Sequence, residues 1–204
     1  LGSGVKANIL ATLTTEILLK MLTADIPLVE VLKTVIATLP ICQVRKIAYS
    51  TFTIIEINSD TSHFKVINFD NPNCFYFHQG KAVRLESHTE EILNRKIHIT
   101  CGQLSRGDFL AAASDGILYA GMGITLNFGW GWENIAQFVE EVLAQKSKTA
   151  RGIVQDVIKK THSLYQGEVG DDATFVGVYV RNRNPLIIFT GPPLDKESDE
   201  NYID

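Results

Sequence analysis

The chain has 204 residues, 45% of them hydrophobic and 21% charged, enough for one full-sized core and too few for a comfortable second domain. Its formal net charge of −4 resides in the last ten residues, where Asp195, Glu197, Asp199, Glu200 and Asp204 stand against Lys196 alone. The rest is close to neutral, with no basic stripe, no apolar run near the roughly 18 residues of a membrane span and no leader-like start. Nucleic acid, a transmembrane helix and a signal peptide are therefore not expected.

Val5, Ile9, Leu13, Ile17 and Met21 recur every fourth residue, with Leu10 and Leu18 widening the stripe. This predicts an amphipathic helix from about Val5 to Met21. Asp25-Ile26-Pro27 reads as an N-cap followed by an early proline. Leu28, Val31, Leu32, Val35, Ile36 and Leu39 then form a second apolar face, stopped by Pro40.

From Ile47 the character changes to β-branched and aromatic residues, running to Ile57 and ending at Asn58-Ser59-Asp60. Phe64 to Phe69, Cys74 to His78 and Lys81 to Leu85 are short runs separated by Asp70-Asn71-Pro72-Asn73 and Gln79-Gly80. Ile97 to Leu104 and Phe109 to Ser114 follow across Ser105-Arg106-Gly107-Asp108. The spacing predicts an antiparallel meander with tight turns.

Two more helical stripes come next: Trp132, Ile135, Ala136, Val139, Val142 and Leu143, then Ala150, Ile153, Val154, Val157 and Ile158. A last apolar strand spans Thr174 to Val180. Helix pairs in blocks with hairpin-linked strands between them indicate an α+β fold. Beyond Arg181 a short strand, Leu186 to Phe189, leads into the acidic tail. Residues 182–204 read as a terminus or the start of a further module.

Cys42, Cys74 and Cys101 are widely spaced and include no C-x-x-C pair, so they read as buried reduced thiols of a cytoplasmic protein. His63, His78, His88, His98 and His162 show no ligand spacing and read as surface or strand residues. Trp130 and Trp132 suit core packing and a helix staple. The stretch from Asp115 to Gly131 holds five glycines and is expected to be a mobile loop.

Two acidic turns abut predicted strands. Ser114-Asp115-Gly116 ends one strand in a carboxylate, and Gly170-Asp171-Asp172-Ala173-Thr174 sets two carboxylates ahead of another. Carboxylates held at strand ends are costly unless paired or metal-bound, and hard divalent cations favour such oxygen donors. Singly, each is also ordinary turn chemistry. A third feature, Leu1-Gly2-Ser3-Gly4-Val5-Lys6-Ala7, leads glycines straight into the first helix.

In this order the three features resemble the SpoIIE-like branch of the type 2C metal-dependent serine/threonine protein phosphatases. That pattern runs D-G-x-G-x-G-x-x-A into the first long helix, S-D-G after a core strand and G-D-D-x-T before the last strand. Val66 to Pro72 and Phe75 to Gly80 look like the family's strand–turn–strand segment.

The resemblance covers residues 1–181 and implies an antiparallel β-sandwich flanked by helix pairs. It further implies a centre for two Mn²⁺ or Mg²⁺ ions, with Asp115 and Asp171 as ligands and Asp172 outside them or second to them. On the family's pattern an Asp-Gly pair and a further Asp would precede Leu1. The implied activity is hydrolysis of phosphoserine or phosphothreonine on a protein, such as a bacterial regulator, by a water acting in the cytoplasm. The alternatives are a partner-binding module that keeps the fold without catalysis and a generic metal-binding α+β domain. Asp115 and Asp171 are expected to converge.

Overall fold

The structure is a computed structural model and describes residues 5–38, 51–145, 149–167, 172–181 and 187–189. It divides into two compact units. One comprises Leu1–Glu56, Lys65–Asn71 and Glu86–Cys101; the other comprises Ile57–Phe64, Pro72–Leu85 and Gly102–Asp204.

The first unit opens with α1 (Val5–Thr23) and α2 (Leu28–Thr38), as the apolar periodicity predicts. Asp25 is not an N-cap, however. It takes a left-handed conformation (φ 54°), with Asp25 N–H donating to Leu22 O and Ile26 N–H to Met21 O. That pairing is a Schellman closure, so Asp25 ends α1 and Pro27 leads into α2.

The stripe on α1 is also rotated from the expected one. Ile9 and Leu13 are 52% and 47% exposed, whereas Thr14 is buried and Ile17 and Leu18 pack against the core. Apolar side chains surround most of this helix, so periodicity alone did not single out the covered face. Pro40 and the residues from 39 to 50 lie outside the described range.

The sheet of this unit has the order β1-β2-β6-β5, built from β1 (Phe52–Ile57), β2 (His63–Phe69), β5 (Ser87–Ile92) and β6 (Arg95–Gln103). Its core gathers Leu32, Val35, Phe52, Ile67, Phe69, Ile97 and Ile99, with Phe52 stacked on Phe69 at 5.1 Å. The edge strand β5 is absent from the sequence expectation because Ser87-His88-Thr89-Glu90-Glu91 offers no apolar alternation. Its pairing with β6 turns on Leu93 and Asn94, both at positive φ, and its polar face suits an unpaired edge. Cys101, expected buried, is exposed on β6, where inward alternation slips after Ile99; Cys74 is half-buried, and Cys42 lies outside the described residues.

The second unit carries the sheet β4-β3-β7-β8-β9, made of β3 (Phe75–His78), β4 (Lys81–Val83), β7 (Phe109–Ala113), β8 (Phe175–Tyr179) and β9 (Ile187–Phe189). Every pairing in it is antiparallel. The Gln79-Gly80 hairpin forms as predicted, with φ of 50° and 77° at the two turn residues.

The expected continuous meander does not form. β2 pairs within the first sheet and β3 within the second, and β6 and β7 divide in the same way. Phe69 is buried in one core and Phe75 in the other, so the Asp70–Asn73 turn separates sheets instead of closing a hairpin. Asn68 holds that turn, its amide donating to Asn71 O at 2.7 Å and its Oδ1 accepting from Asn71 N at 3.2 Å.

Between α3 (Asp115–Leu118) and β8 stand α4 (Trp132–Leu143) and α5 (Ala150–Leu164). They bury Ile135, Ala136, Val139 and Val142, and Ile153, Val154, Val157 and Leu164, in a core shared with Phe75, Phe77, Phe109 and Phe175. Thr149 caps α5 by accepting from Gly152 N. Trp130 is buried against Phe138, and Trp132 stacks on Phe75 and carries the Arg84 guanidinium 4.5 Å over its ring, in keeping with packing roles.

At the Phe109 end of β7, Asp108 is fully buried. Its carboxylate accepts from Ser105 N at 2.8 Å, Tyr76 OH at 2.7 Å and Gln79 N at 3.4 Å, and His78 Nδ1 lies 3.0 Å away. Burial first, then the hydrogen bond and charge of Asp108, push the Tyr76 phenol well above its ordinary value.

The folded state thus keeps this proton at pH values where the unfolded chain, with an ordinary phenol pKa of about 10, loses it. Stability from Tyr76 is complete below that pH and is lost as pH rises towards the folded value. Urea denaturation across the alkaline range should show this fall, and Tyr76→Phe should flatten it.

Candidate metal centre

The two acidic turns meet at one end of the second sheet. β7 and β8 are paired down to Ala113 and Phe175. One step further, Ser114 N–H donates to Thr174 O at 2.9 Å. The Ser114 hydroxyl then joins the strands a second time, donating to Asp172 O at 3.0 Å and accepting from Thr174 N at 2.9 Å.

Past Ser114 the chain turns into the single helical turn α3, with half-buried Asp115 as its first residue. Gly116 is buried, and a Cβ there would fall 2.4 Å from Asp172 O. Only a residue without a side chain lets the two turns approach so closely. From α5, the buried Tyr165 hydroxyl donates to Gly116 O at 2.8 Å.

Asp172 is exposed and sits across this contact. Asp171 and Gly170 lie outside the described residues, so the expected convergence of Asp115 and Asp171 is untested; the adjoining Asp172 backbone is the part in view. Among the described residues no three His, Cys, Asp or Glu form a group able to hold a metal ion. The donors in view, Asp115 and Asp172, are nonetheless of the hard oxygen type that Mg²⁺ and Mn²⁺ take, on turns in direct backbone contact.

The segment after Asp115 is closed by internal hydrogen bonds. Gly131 N–H donates to Leu118 O, Gly123 N–H to Leu126 O, and the Thr125 hydroxyl to Leu164 O. Its glycines at 121, 123, 129 and 131 take the positive φ that these closures need. It leaves Tyr119, Met122, Ile124 and above all Phe128, at 88%, exposed.

Sequence reading missed the bridging role of Ser114 and the whole contribution of Tyr165. Ser114 lies inside a recognised motif and could have been questioned on that ground. Tyr165 ends a helix 49 residues from its partner and carries no local signal.

Residues 1–181 match the family described as Stage II sporulation protein E (SpoIIE). The chain belongs to this family. Its fold is that of the SpoIIE phosphatase domain of Bacillus subtilis. One structure of that domain is 20% identical and matches with a TM-score of 0.54, covering 91% of this chain and 78% of the other. A manganese-presoaked form is 19% identical, with a TM-score of 0.54, and covers 90% and 79%.

The PP2C phosphatase domain of SpoIIE solved with a fragment of its regulatory domain gives a TM-score of 0.69 at 19% identity, covering 95% of this chain and 52% of the other. No curated protein sequence matches significantly. The SpoIIE match agrees with the mixed helix and antiparallel-sheet architecture. No helix among the described residues is long and apolar enough to cross a membrane.

Proposed function

We propose that this member of the SpoIIE family hydrolyses phosphoserine or phosphothreonine on a protein, in the cytoplasm, with two Mn²⁺ or Mg²⁺ ions. The observation that carries the reading is the backbone contact of the Asp115 turn with the Asp172 turn through Ser114 and Gly116. Asp115 and Asp171 would be ligands, and Asp172 would act from outside them, orienting water through its carboxylate. Bound divalent ions would polarise the phosphoryl group and lower the pKa of a water.

The Ser114 hydroxyl is already committed to Asp172 O and Thr174 N, so it does not serve as a nucleophile. In-line attack by water then needs no covalent intermediate on this chain. We assign the activity to residues 1–181, the span of the family match. β9 adds an edge strand to the second sheet and carries no site residue.

The test is phosphate release by the full-length protein from phosphoserine and phosphothreonine substrates, with and without Mn²⁺ or Mg²⁺. Release should require the ion and stop on chelation. Release that survives chelation, or none from any such substrate, overturns the reading.

A further inference from the structure

We infer that the Ser114 and Tyr165 hydroxyls form a clamp that sets the spacing of the two carboxylate-bearing turns, making both of them positioning residues for the ion. The inference rests on the proposed function and concerns how that centre is held.

Each hydroxyl acts where the paired strands have ended. The last β7–β8 pair is Ala113 with Phe175, and one more backbone hydrogen bond, Ser114 N–H to Thr174 O, follows before the two turns leave the sheet. That backbone bond stops at Ser114 and Thr174, short of Asp115 and Asp172 themselves. Ser114 Oγ supplies the tie from one side, reaching Asp172 O at 3.0 Å and Thr174 N at 2.9 Å. Its single proton goes to the carbonyl and its lone pair receives the amide, so one side chain engages both ends of the Asp172–Thr174 segment.

Tyr165 anchors the Asp115 side of that tie to α5. Its hydroxyl comes from the C-cap position of α5 to Gly116 O, the carbonyl one residue beyond Asp115. Tyr165 is 7% exposed, so this hydrogen bond competes little with water. Gly116 takes both contacts: Tyr165 holds its carbonyl, and a Cβ on it would fall 2.4 Å from Asp172 O. The Asp115 turn is thereby held against the Asp172 turn at a residue that has no side chain to keep them apart.

Partners that orient ligands without touching the ion change metal affinity by roughly 10- to 100-fold when removed. A merely structural hydroxyl would move stability and leave affinity per folded molecule unchanged. The two roles separate in one experiment on the full-length protein. Mn²⁺ binding is measured by titration calorimetry, and thermal unfolding is measured without metal, for wild type, Ser114→Ala, Ser114→Thr and Tyr165→Phe.

Ser114→Ala and Tyr165→Phe should each weaken Mn²⁺ binding about tenfold or more, while the metal-free melting temperature falls by only a few degrees. Ser114→Thr keeps the hydroxyl on a backbone already extended (φ −76°, ψ 167°) and should restore wild-type affinity. Tyr165→Phe removes one oxygen without changing ring volume, so it reports on the clamp even if Ser114→Ala folds poorly. Wild-type affinity in both deletion variants overturns the clamp and leaves the proposed function standing. Affinity lost equally in Ser114→Thr also overturns it. A wild-type protein that binds neither Mn²⁺ nor, in the same titration, Mg²⁺ overturns the proposed function, and the clamp with it.

Discussion

Asp171→Asn is expected to lower Mn²⁺-dependent phosphate release by about two orders of magnitude or more, while the metal-free protein unfolds at nearly its original temperature. The substitution is almost isosteric and replaces a carboxylate by a neutral amide. It therefore removes charge and basicity from a proposed ligand with little change in volume. Asp172→Asn should cost much less, because an outer position tolerates an amide that still orients water.

The ordering of the two variants is the informative result, measured as initial rates at saturating and limiting Mn²⁺. Losses that shrink at high Mn²⁺ identify weakened binding of the ion. Wild-type turnover by Asp171→Asn would show that the catalytic centre lies elsewhere on the chain.

The second large effect concerns stability and lies at the other end of β7. Asp108→Ala should destabilise the protein by about 3 kcal/mol or more, equivalent to a melting temperature lower by roughly 10 °C. The reason is the number of groups left behind. Ser105 N–H, Gln79 N–H and the Tyr76 hydroxyl all lose the acceptor that Asp108 supplies, and the His78 ring loses its partner.

Asp108 is fully buried, so water cannot simply replace the carboxylate. Asp108→Asn keeps one acceptor oxygen and should lose less than the alanine variant. Urea denaturation of the two variants checks this order. An alanine variant within about 0.5 kcal/mol of wild type would mean that the turn satisfies these donors in another way.

Local pattern carried much of the fold. The helices at Leu28–Thr38, Trp132–Leu143 and Ala150–Leu164 were legible because each buries one regular face. The Gln79-Gly80 hairpin was legible because two residues of positive φ dictate both the turn and its register. α1 was legible as a helix but not in its orientation, since apolar side chains surround it and Thr14, not Ile9 or Leu13, is covered.

Ser114-Asp115-Gly116 and Gly170-Asp171-Asp172 are each ordinary turn chemistry when taken singly, and were legible as chemistry through their order along the chain. Turn residues, by contrast, say that a chain changes direction and not what it pairs with next. The division of β2 from β3 and of β6 from β7 between two sheets therefore awaited the cores that Phe69 and Phe75 enter. The polar edge β5 had no alternation to reveal it. Asp108 looked like any turn aspartate until its burial among Tyr76, His78 and Ser105 was seen.

The sequence by itself determined the residue types of the centre and their order along the chain. Only the tertiary structure decided that Ser114 bridges to Asp172 and Thr174, that Gly116 lies against the Asp172 carbonyl, and that Tyr165 closes the group from a helix. Hydrogen bonds across 49 to 60 residues depend on how strands and helices pack, and no local preference in the chain encodes that distance.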